Sequence, residues 1–536
     1  MLEISGIRLP FSAGEEELRR KAAALCGVQS GDIQSLRLMR RALDARNKAQ
    51  ISFLYNVAVA LPPKAEQRAL RRGGAKISAF APPPEAALPK GSEDCRGRIV
   101  VVGLGPAGLF SAYLLAKHGY RPLVIERGRP VEERVRDVER FWTARQLDPE
   151  SNVMFGEGGA GTFSDGKLTS RSKDPRGAQV LELLLAHGAP EEIAYLAKPH
   201  VGTDRLRGVV ASLRREIERL GGEVRFSAKL SGLVCEAGRL SGITVEQRGA
   251  QERLACGALV LAIGQGARDT CRMLHGAGLA MQPKAFAVGC RVEHPQTLID
   301  RAQFGAFAAD PRLGAAEYHL SARSGARGVY TFCMCPGGRV VASASGPEQL
   351  VVNGMSDYAR DAENANAAII VQVGPEDFGG GALDGLHFCE KLEAAAFRTG
   401  GADHTAPASR VEDFLLRRAS GAFSGVRPSY LPGVRPVNLR DCLPDFVAQG
   451  VADGLTAFAR QLPGFDLPDA VLTAVESRTS APLRILRGAD GISVSCDGVY
   501  PVGEGAGYAG GIVSAAIDGL RAAERIIARF RAPLSQ

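Results

Sequence analysis

Three glycine-rich segments hold the residues best placed for chemistry: Gly103-Leu-Gly105-Pro106-Ala107-Gly108, Gly156-Glu-Gly158-Gly159-Ala-Gly161 and Gly503-Glu504-Gly505-Ala-Gly-Tyr-Ala-Gly510-Gly511. They concentrate an excess, since 64 of 536 residues are glycine, about 12% where roughly 7% is usual. No G-X-Y period accompanies the excess, which excludes a collagen-like chain. In the first segment, Gly103 permits a tight turn, Gly105 lets a diphosphate approach the backbone, and Gly108 lets helix and strand pack closely. The apolar run Ile99–Val102 before it reads as a strand, and a helix is expected from about Ala107 to His118. The start of such a helix offers unpaired N–H groups and partial positive charge to a phosphate. A second strand, Pro122–Ile125, ends at Glu126, where a carboxylate can accept hydrogen bonds from an adenosine ribose. Arg127 follows it. A dinucleotide is therefore expected on Gly103, Gly105, Pro106, Ala107, Gly108, Glu126 and Arg127. Glu126 would repel a 2′-phosphate, which argues against NADP at this site.

The far end of the chain repeats the strand-turn-helix pattern. Gly498–Val502 reads as a short strand, GEGAGYAGG follows, and a helix is expected from about Ile512 to Arg529. Glu504, in the turn, can bind a ribityl hydroxyl or lie beside the diphosphate. The amides near Gly510, Gly511 and Ile512 can face a ring that carries negative charge when reduced. A flavin needs both ends, because its isoalloxazine lies far from its adenine. FAD is thus the expected cofactor.

The substrate side offers softer candidates. Cys333 and Cys335, two apart in an expected strand, share a face and read as core packing or as a redox or nucleophilic pair. Arg291, Glu293 and His294 form a polar cluster that orients a substrate or closes a surface ion pair. His200 is either a general acid or base or a hydrogen-bonded structural histidine. Arg478 is either a bidentate clamp for a substrate carboxylate or a scaffold arginine.

These residues need elements to hold them. Residues 1–61 read as a small α/β unit with strands near 2–9, 33–43 and 51–59 and a helix at 15–26. Residues 62–97, rich in proline, read as a linker. Residues 98–280 and 476–536 are expected to build one FAD-binding domain with a parallel sheet. Within it, the segments 229–236, 239–247 and 251–255 form a β-meander, and Ala258–Ile263 returns to the sheet. Residues 281–475 are expected to form a mixed α+β cap or substrate domain, with strands at 286–293, 328–335 and 340–345 and helices at 356–370 and 386–397. The fold class is α/β: a Rossmann-like parallel sheet with an inserted meander, a cap, and a small N-terminal α/β domain.

Net charge is +8, with sixteen Lys/Arg against ten Asp/Glu over residues 1–97 and fifty against forty-eight in the rest. A basic first segment can attract a nucleic acid or an acidic protein, although a solvated basic face is the favoured expectation. The eleven cysteines show no metal-ligand spacing. Cys26, Cys235, Cys256, Cys290 and Cys496 read as free, small hydrophobes of a reducing cytosol. The start of the chain lacks a signal-peptide pattern, and the uncharged run Ile99–Ala116 is broken by Gly103, Gly105, Pro106 and Gly108. A cytoplasmic protein with no membrane association is expected; nothing in the sequence indicates its oligomeric state.

The opening motif, the meander, Ala262-Ile263-Gly264 and the closing GEGAGYAGGIVSAAIDGLRAAERI resemble the FAD-binding domain of the two-dinucleotide-binding flavoproteins. More narrowly, DARNKAQISFLYNV, SNVMFGEGGAGTFSDGKLTSR, KPHVGTD, VYTFCMCPGGRVV, VNGMSDYARD and ESRTSAP resemble the uncharacterised bacterial FAD-dependent dehydrogenase family with a small N-terminal α/β domain. The resemblance implies that Gly158, Gly159, Gly161, Thr162, Asp165 and Lys167 line the diphosphate and ring edge, and a glycine loop does form an anion nest. Lys167 would stabilise reduced flavin; its other reading is a solvated surface lysine. The resemblance also places the backbone near Leu230 at the adenine edge and Ala262 and Gly264 on the return strand. A second GxGxxG is missing from 281–475, and residues 128–170 lack cysteine, so dithiol transfer of the glutathione-reductase type is not expected. The expected function is hydride transfer to or from flavin N5 on a small-molecule substrate, with NAD(P)H as a transient electron donor. The rivals are a flavoprotein whose N-terminal domain docks a nucleic acid or protein, and a flavin-free NAD-dependent dehydrogenase.

Overall fold

Alternating apolar residues over 51–59 and an acidic start at Glu15–Glu17 mark out the first elements. The structure, a computed structural model, describes residues 1–81, 88–170 and 172–533. It opens with β1 (Leu2–Pro10), α1 (Glu15–Cys26), β2 (Ser35–Asp44), β3 (Ser52–Ala60), α2 (Pro63–Arg72) and β4 (Ile77–Ala79). The strands form an antiparallel sheet in the order β2-β3-β1-β4. Its inner face, with Leu2, Ile4, Leu9, Val57 and Val59, packs on Leu18, Ala22 and Cys26 of α1 and on Ala65 and Ala69 of α2. Helix α1 stops at Gly27, whose φ of 68° gives the left-handed cap. The linker expectation is corrected here. Residues 63–79 are folded because Ala65, Ala69 and Ile77 bury against the same core, while residues 82–87 lie outside the described ones.

By compactness, this unit takes in residues 1–87, 190–200 and 297–316. Arg41 and Tyr195 are joined by a backbone hydrogen bond of 2.7 Å, and Phe11 meets Phe307 edge-on at 5.2 Å. The structure therefore divides the chain differently from the five consecutive segments expected. Everything else, cap included, falls into one second unit.

The second unit is built on β5 (Arg98–Val102), α3 (Pro106–Lys117), β6 (Leu123–Ile125), α4 (Val131–Ala144), α5 (Arg176–Ala186), α6 (Thr203–Arg219) and β7 (Glu223–Arg225). It continues with β8 (Ala228–Glu236), β9 (Arg239–Gln247), β10 (Ala250–Leu261) and α7 (Arg268–Gly276). Strands β7, β6, β5, the end of β10 and the closing strand Val499–Pro501 lie parallel in that order. The meander is present, but its third strand and the return strand are one element. β10 pairs antiparallel with β9 over residues 250–255, and its later residues pair parallel with β5. The uncharged run 99–116 is the β5-turn-α3 unit, and among the described residues no helix is long and apolar enough to cross a membrane.

The cap region carries a seven-stranded sheet in which Asn364–Val373 lies between Arg327–Cys335 and the central strand Phe286–Pro295. That corrects the helix expected at 356–370. Ala365, Ala367, Ala368, Ile369, Ile370 and Val371 are all buried, and a strand covered on both faces reads as an unbroken apolar run with no period of two. Cys235 is also not free, because it is joined to Cys496 across 261 residues. Cys26, Cys256 and Cys290 remain free and buried.

Candidate functional site

Two turns make the floor of the site. Gly103, with φ of 93°, has no room for a side chain, because a Cβ would stand 2.4 Å from the carbonyl oxygen of Ala262. A Cβ on Gly108 would reach 1.9 Å from the carbonyl oxygen of Gly103, so α3 starts directly against the β5 turn, as the motif demands. At the other end, a Cβ on Gly505 would come within 2.3 Å of the Gly264 carbonyl oxygen. The two distant turns therefore both pack against the backbone of the Ala262–Gly264 segment. Gly519 of the helix Ile512–Arg529 seats that helix on Ala107, again at a distance that admits only hydrogen.

One cavity opens between these turns. Among its lining residues are Gly103, Gly105, Pro106, Ala107, Glu126, Arg127, Gly159, Gly161 and Asp165. Lys167, Leu230, Ala262, Gly264, Arg478, Gly503, Glu504, Gly511 and Ile512 line it as well. Gly108, Gly158, Thr162 and Gly510 do not. Gly108 is spent on packing, and Gly158, at φ 82°, turns toward Thr162, where a Cβ would lie 2.1 Å from Oγ1. Gly510 follows Glu504 on the exposed side of the turn. His200 groups with the first unit and is not among the lining residues.

The charged candidates have partners of their own. Glu126 is buried at the end of β6 and accepts from the amides of Leu104, Gly128 and Gly156 at 2.8, 2.9 and 2.9 Å. It thus ties the two glycine loops together as well as lining the cavity. Arg127 stacks over Phe155 at 3.9 Å and pairs with Glu150 and Asp269. Burial would raise the Asp165 carboxyl, but Lys167 and Arg360 hold it down to about 2. Lys167 donates to Asp165 and to the Met334 carbonyl. Burial alone would lower the lysine, but Asp165 keeps it above its ordinary value. The solvated-lysine reading is thereby removed.

Arg478 lines the cavity, yet its donors are taken by Glu393 at 3.1 and 3.3 Å, Ser345 at 2.8 Å and Gln349 at 3.2 Å. A carboxylate clamp would have to displace Glu393, so the scaffold reading prevails. Arg291, Glu293 and His294 are all fully buried, which rules out a surface ion pair. Arg291 donates to Glu476 at 2.8 Å and to the Cys333 carbonyl at 2.8 Å. His294, hydrogen-bonded to the Phe465 carbonyl, is pushed down to about 4 by burial. Of the arginines in the basic first segment, Arg46 is paired with Asp44, and Arg41 lies over Phe53 and Tyr195.

Cys333, one of the substrate-side candidates, also lines the cavity, and so do several residues that the sequence does not point to: Met154, Phe155, Lys229, Gln265, Phe332, Asn353, Glu476 and Thr479. Of these, Met154 and Phe155 stand beside the Gly156 motif, and Gln265 stands between Gly264 and Gly266. Lys284 was missed too, and its ammonium opposes the burial that pushes Glu504 up to about 7.

Residues 285–479 match the family model described as FAD-dependent protein, C-terminal domain-like, and residues 1–60 match a domain of unknown function. A protein of Clostridium beijerinckii described as uncharacterized is 46% identical over 536 residues, 99% of each chain. The chain belongs to this uncharacterised bacterial family of FAD-dependent proteins. FAD is the cofactor of this flavoprotein. Among solved structures, the FAD-complexed glycerol-3-phosphate dehydrogenase from Bacillus halodurans is 10% identical, with 80% of this chain and 64% of that one covered and a TM-score of 0.34. A geranylgeranyl bacteriochlorophyll reductase-like protein from Thermoplasma acidophilum is 13% identical, with 80% and 77% covered and a TM-score of 0.33.

The site of the flavoprotein fits FAD on its own chemistry. Helix α3 and the helix Ile512–Arg529 both begin at glycines, Gly105 and Gly511, without a side-chain cap. Their first amides are free to receive a diphosphate or an anionic ring. Gly105 and Gly159 face each other with space for little more than backbone, a Cβ on Gly159 lying 3.1 Å from the Gly105 Cα. That leaves a floor of main chain and small residues on which a flat or extended ligand can lie.

Proposed function

We propose that this flavoprotein is an oxidoreductase that transfers a hydride between flavin N5 and a small-molecule substrate, with NAD(P)H as a transient electron donor. The observation that supports this reading is the single cavity shared by the Gly103 turn, the Glu504 turn and the Lys167 loop. Bound FAD supplies a two-electron acceptor and donor. The chain supplies the rest. Glu126 and the start of α3 orient the adenosine half, and the start of the helix Ile512–Arg529 sets a positive dipole end where ring charge develops. Ile263, Phe332, Val502 and Ile512 line the cavity with apolar surface that excludes water. Glu504, pushed up to about 7 by burial, offers a proton-exchanging carboxyl at the cavity.

Absorbance and anaerobic titration test the reading. The purified protein is expected to absorb near about 450 nm, as oxidised flavin does, and NADH or NADPH is expected to bleach it. Bleaching by neither would remove the nicotinamide donor, and a colourless protein that takes up no added FAD would remove the whole reading.

A further inference from the structure

Cys333 lines the cavity, whereas Cys335, two residues on, is fully buried behind it. The pairing of their strand with Asn364–Val373 slips between Phe332 and Cys335, and Cys333 sits at φ 43°, a left-handed conformation that a non-glycine residue rarely adopts. Bulges of this kind re-aim side chains beside functional sites. A regular strand holds residues i and i+2 at the limit of disulfide reach, but the bulge folds these two together, and Cys335 Sγ donates to the Cys333 carbonyl at 3.3 Å. Two cations grip the same few atoms of chain. Arg291 Nη1 donates to the Cys333 carbonyl at 2.8 Å, and Lys167 Nζ donates to the carbonyl of Met334 between the cysteines.

We propose that Cys333 and Cys335 are a dithiol–disulfide couple that exchanges two electrons with the flavin, Cys333 facing the cavity and Cys335 resolving from behind. This rests on the flavin reading above. In the oxidising direction, the Cys333 thiolate and the Cys335 thiol become one Sγ–Sγ bond. The S–H bond of Cys335 breaks, its proton and the two electrons pass to oxidised FAD, and the thiolate's negative charge ends on the reduced flavin. The reverse step restores the Cys333 thiolate and the Cys335 thiol. The charges support the assignment of roles. A hydrogen bond between the two thiols lowers Cys333 most, with Arg291 and Lys167 adding to it against burial and Asp165. The same hydrogen bond and burial raise Cys335 well above its ordinary value. Glu476 and Glu504 are the other titrating groups that feel Cys333.

Trypsin isolates the pair, since the peptide Gly328–Arg339 contains Cys333 and Cys335 and no other cysteine. Air-equilibrated holoprotein, denatured in iodoacetamide, should give this peptide two hydrogens lighter and unalkylated; pretreatment with dithiothreitol should give it two alkyl groups. Anaerobic dithiothreitol should bleach the wild-type flavin at least about tenfold faster than that of Cys333→Ser or Cys335→Ser. A peptide doubly alkylated in the air-equilibrated protein, or equal bleaching rates in flavin-loaded wild type and variants, would overturn the couple while leaving the flavin reading intact. A protein without flavin absorbance would instead remove the reading beneath it. The peptide map uses wild-type protein, so a variant that fails to fold leaves it decisive.

Discussion

Glu504 shows how the fold resets the chemistry of one side chain. Its carboxyl has no hydrogen-bond partner among the described residues, and burial raises it to about 7, with Lys284 opposing. The neutral acid is therefore favoured in the fold, so its stabilising effect is complete below the ordinary carboxyl range, near pH 4.5, and is lost as pH rises through about 7. The protonated acid can also donate to a ribityl hydroxyl or a phosphate oxygen, whereas the carboxylate repels the latter. Apoprotein is expected to bind FAD more tightly at pH 6 than at pH 8, by up to about tenfold for a single titrating group, in a flavin-fluorescence titration. Glu504→Gln should flatten that dependence; an unchanged slope in the variant would place the titrating group elsewhere.

At the scale of elements, the helix Asp384–Gly400 shows how the cap region is anchored to the site. Its Glu393 is fully buried and binds Arg268 of α7 at 2.6 and 2.9 Å, Arg478 at 3.1 Å and Ser477 Oγ at 2.5 Å. Burial would raise this carboxyl, yet the two guanidiniums hold it down to about 2. Its contribution is thus present above the ordinary carboxyl range and fades as pH falls toward 2. Glu393→Gln leaves two buried guanidiniums without a counter-charge, and a loss of about 3–5 kcal/mol is expected, read as a lowered midpoint in chemical denaturation. A variant as stable as the wild type would show that water reaches the cluster. Nothing near residues 268, 393 or 478 in the sequence signals this triad, because the three lie on separate elements.

For the whole molecule, the first unit makes the clearest prediction. Among the described residues, its core runs from Leu2 to Ile77. A fragment of residues 1–81 is therefore expected to fold alone and to melt cooperatively by circular dichroism. A gradual, non-cooperative melt would mean that residues 190–200 and 297–316, which group with this unit, are required to complete it. The same boundary explains why a proline-rich stretch reads as linker by composition and yet is folded: composition counts breakers, but Ala65, Ala69 and Ile77 become core only once a sheet exists to cover. The motifs at Gly103 and Gly503, the β5-α3-β6 unit, the meander and the basic first segment were all legible, because each depends on neighbours within a few residues or on the period of a strand. The strand at 364–373, the Cys235–Cys496 bond, the partners of Arg478 and the bulge at Cys333 were not. Each arises from contacts between residues tens to hundreds of positions apart, and burial on both faces erases the alternation by which a strand is ordinarily read. Local chemistry thus named the cofactor's two ends from the order of amino acids, while long-range packing chose which charges stayed free beside it and set one thiol at its cavity with a second behind it.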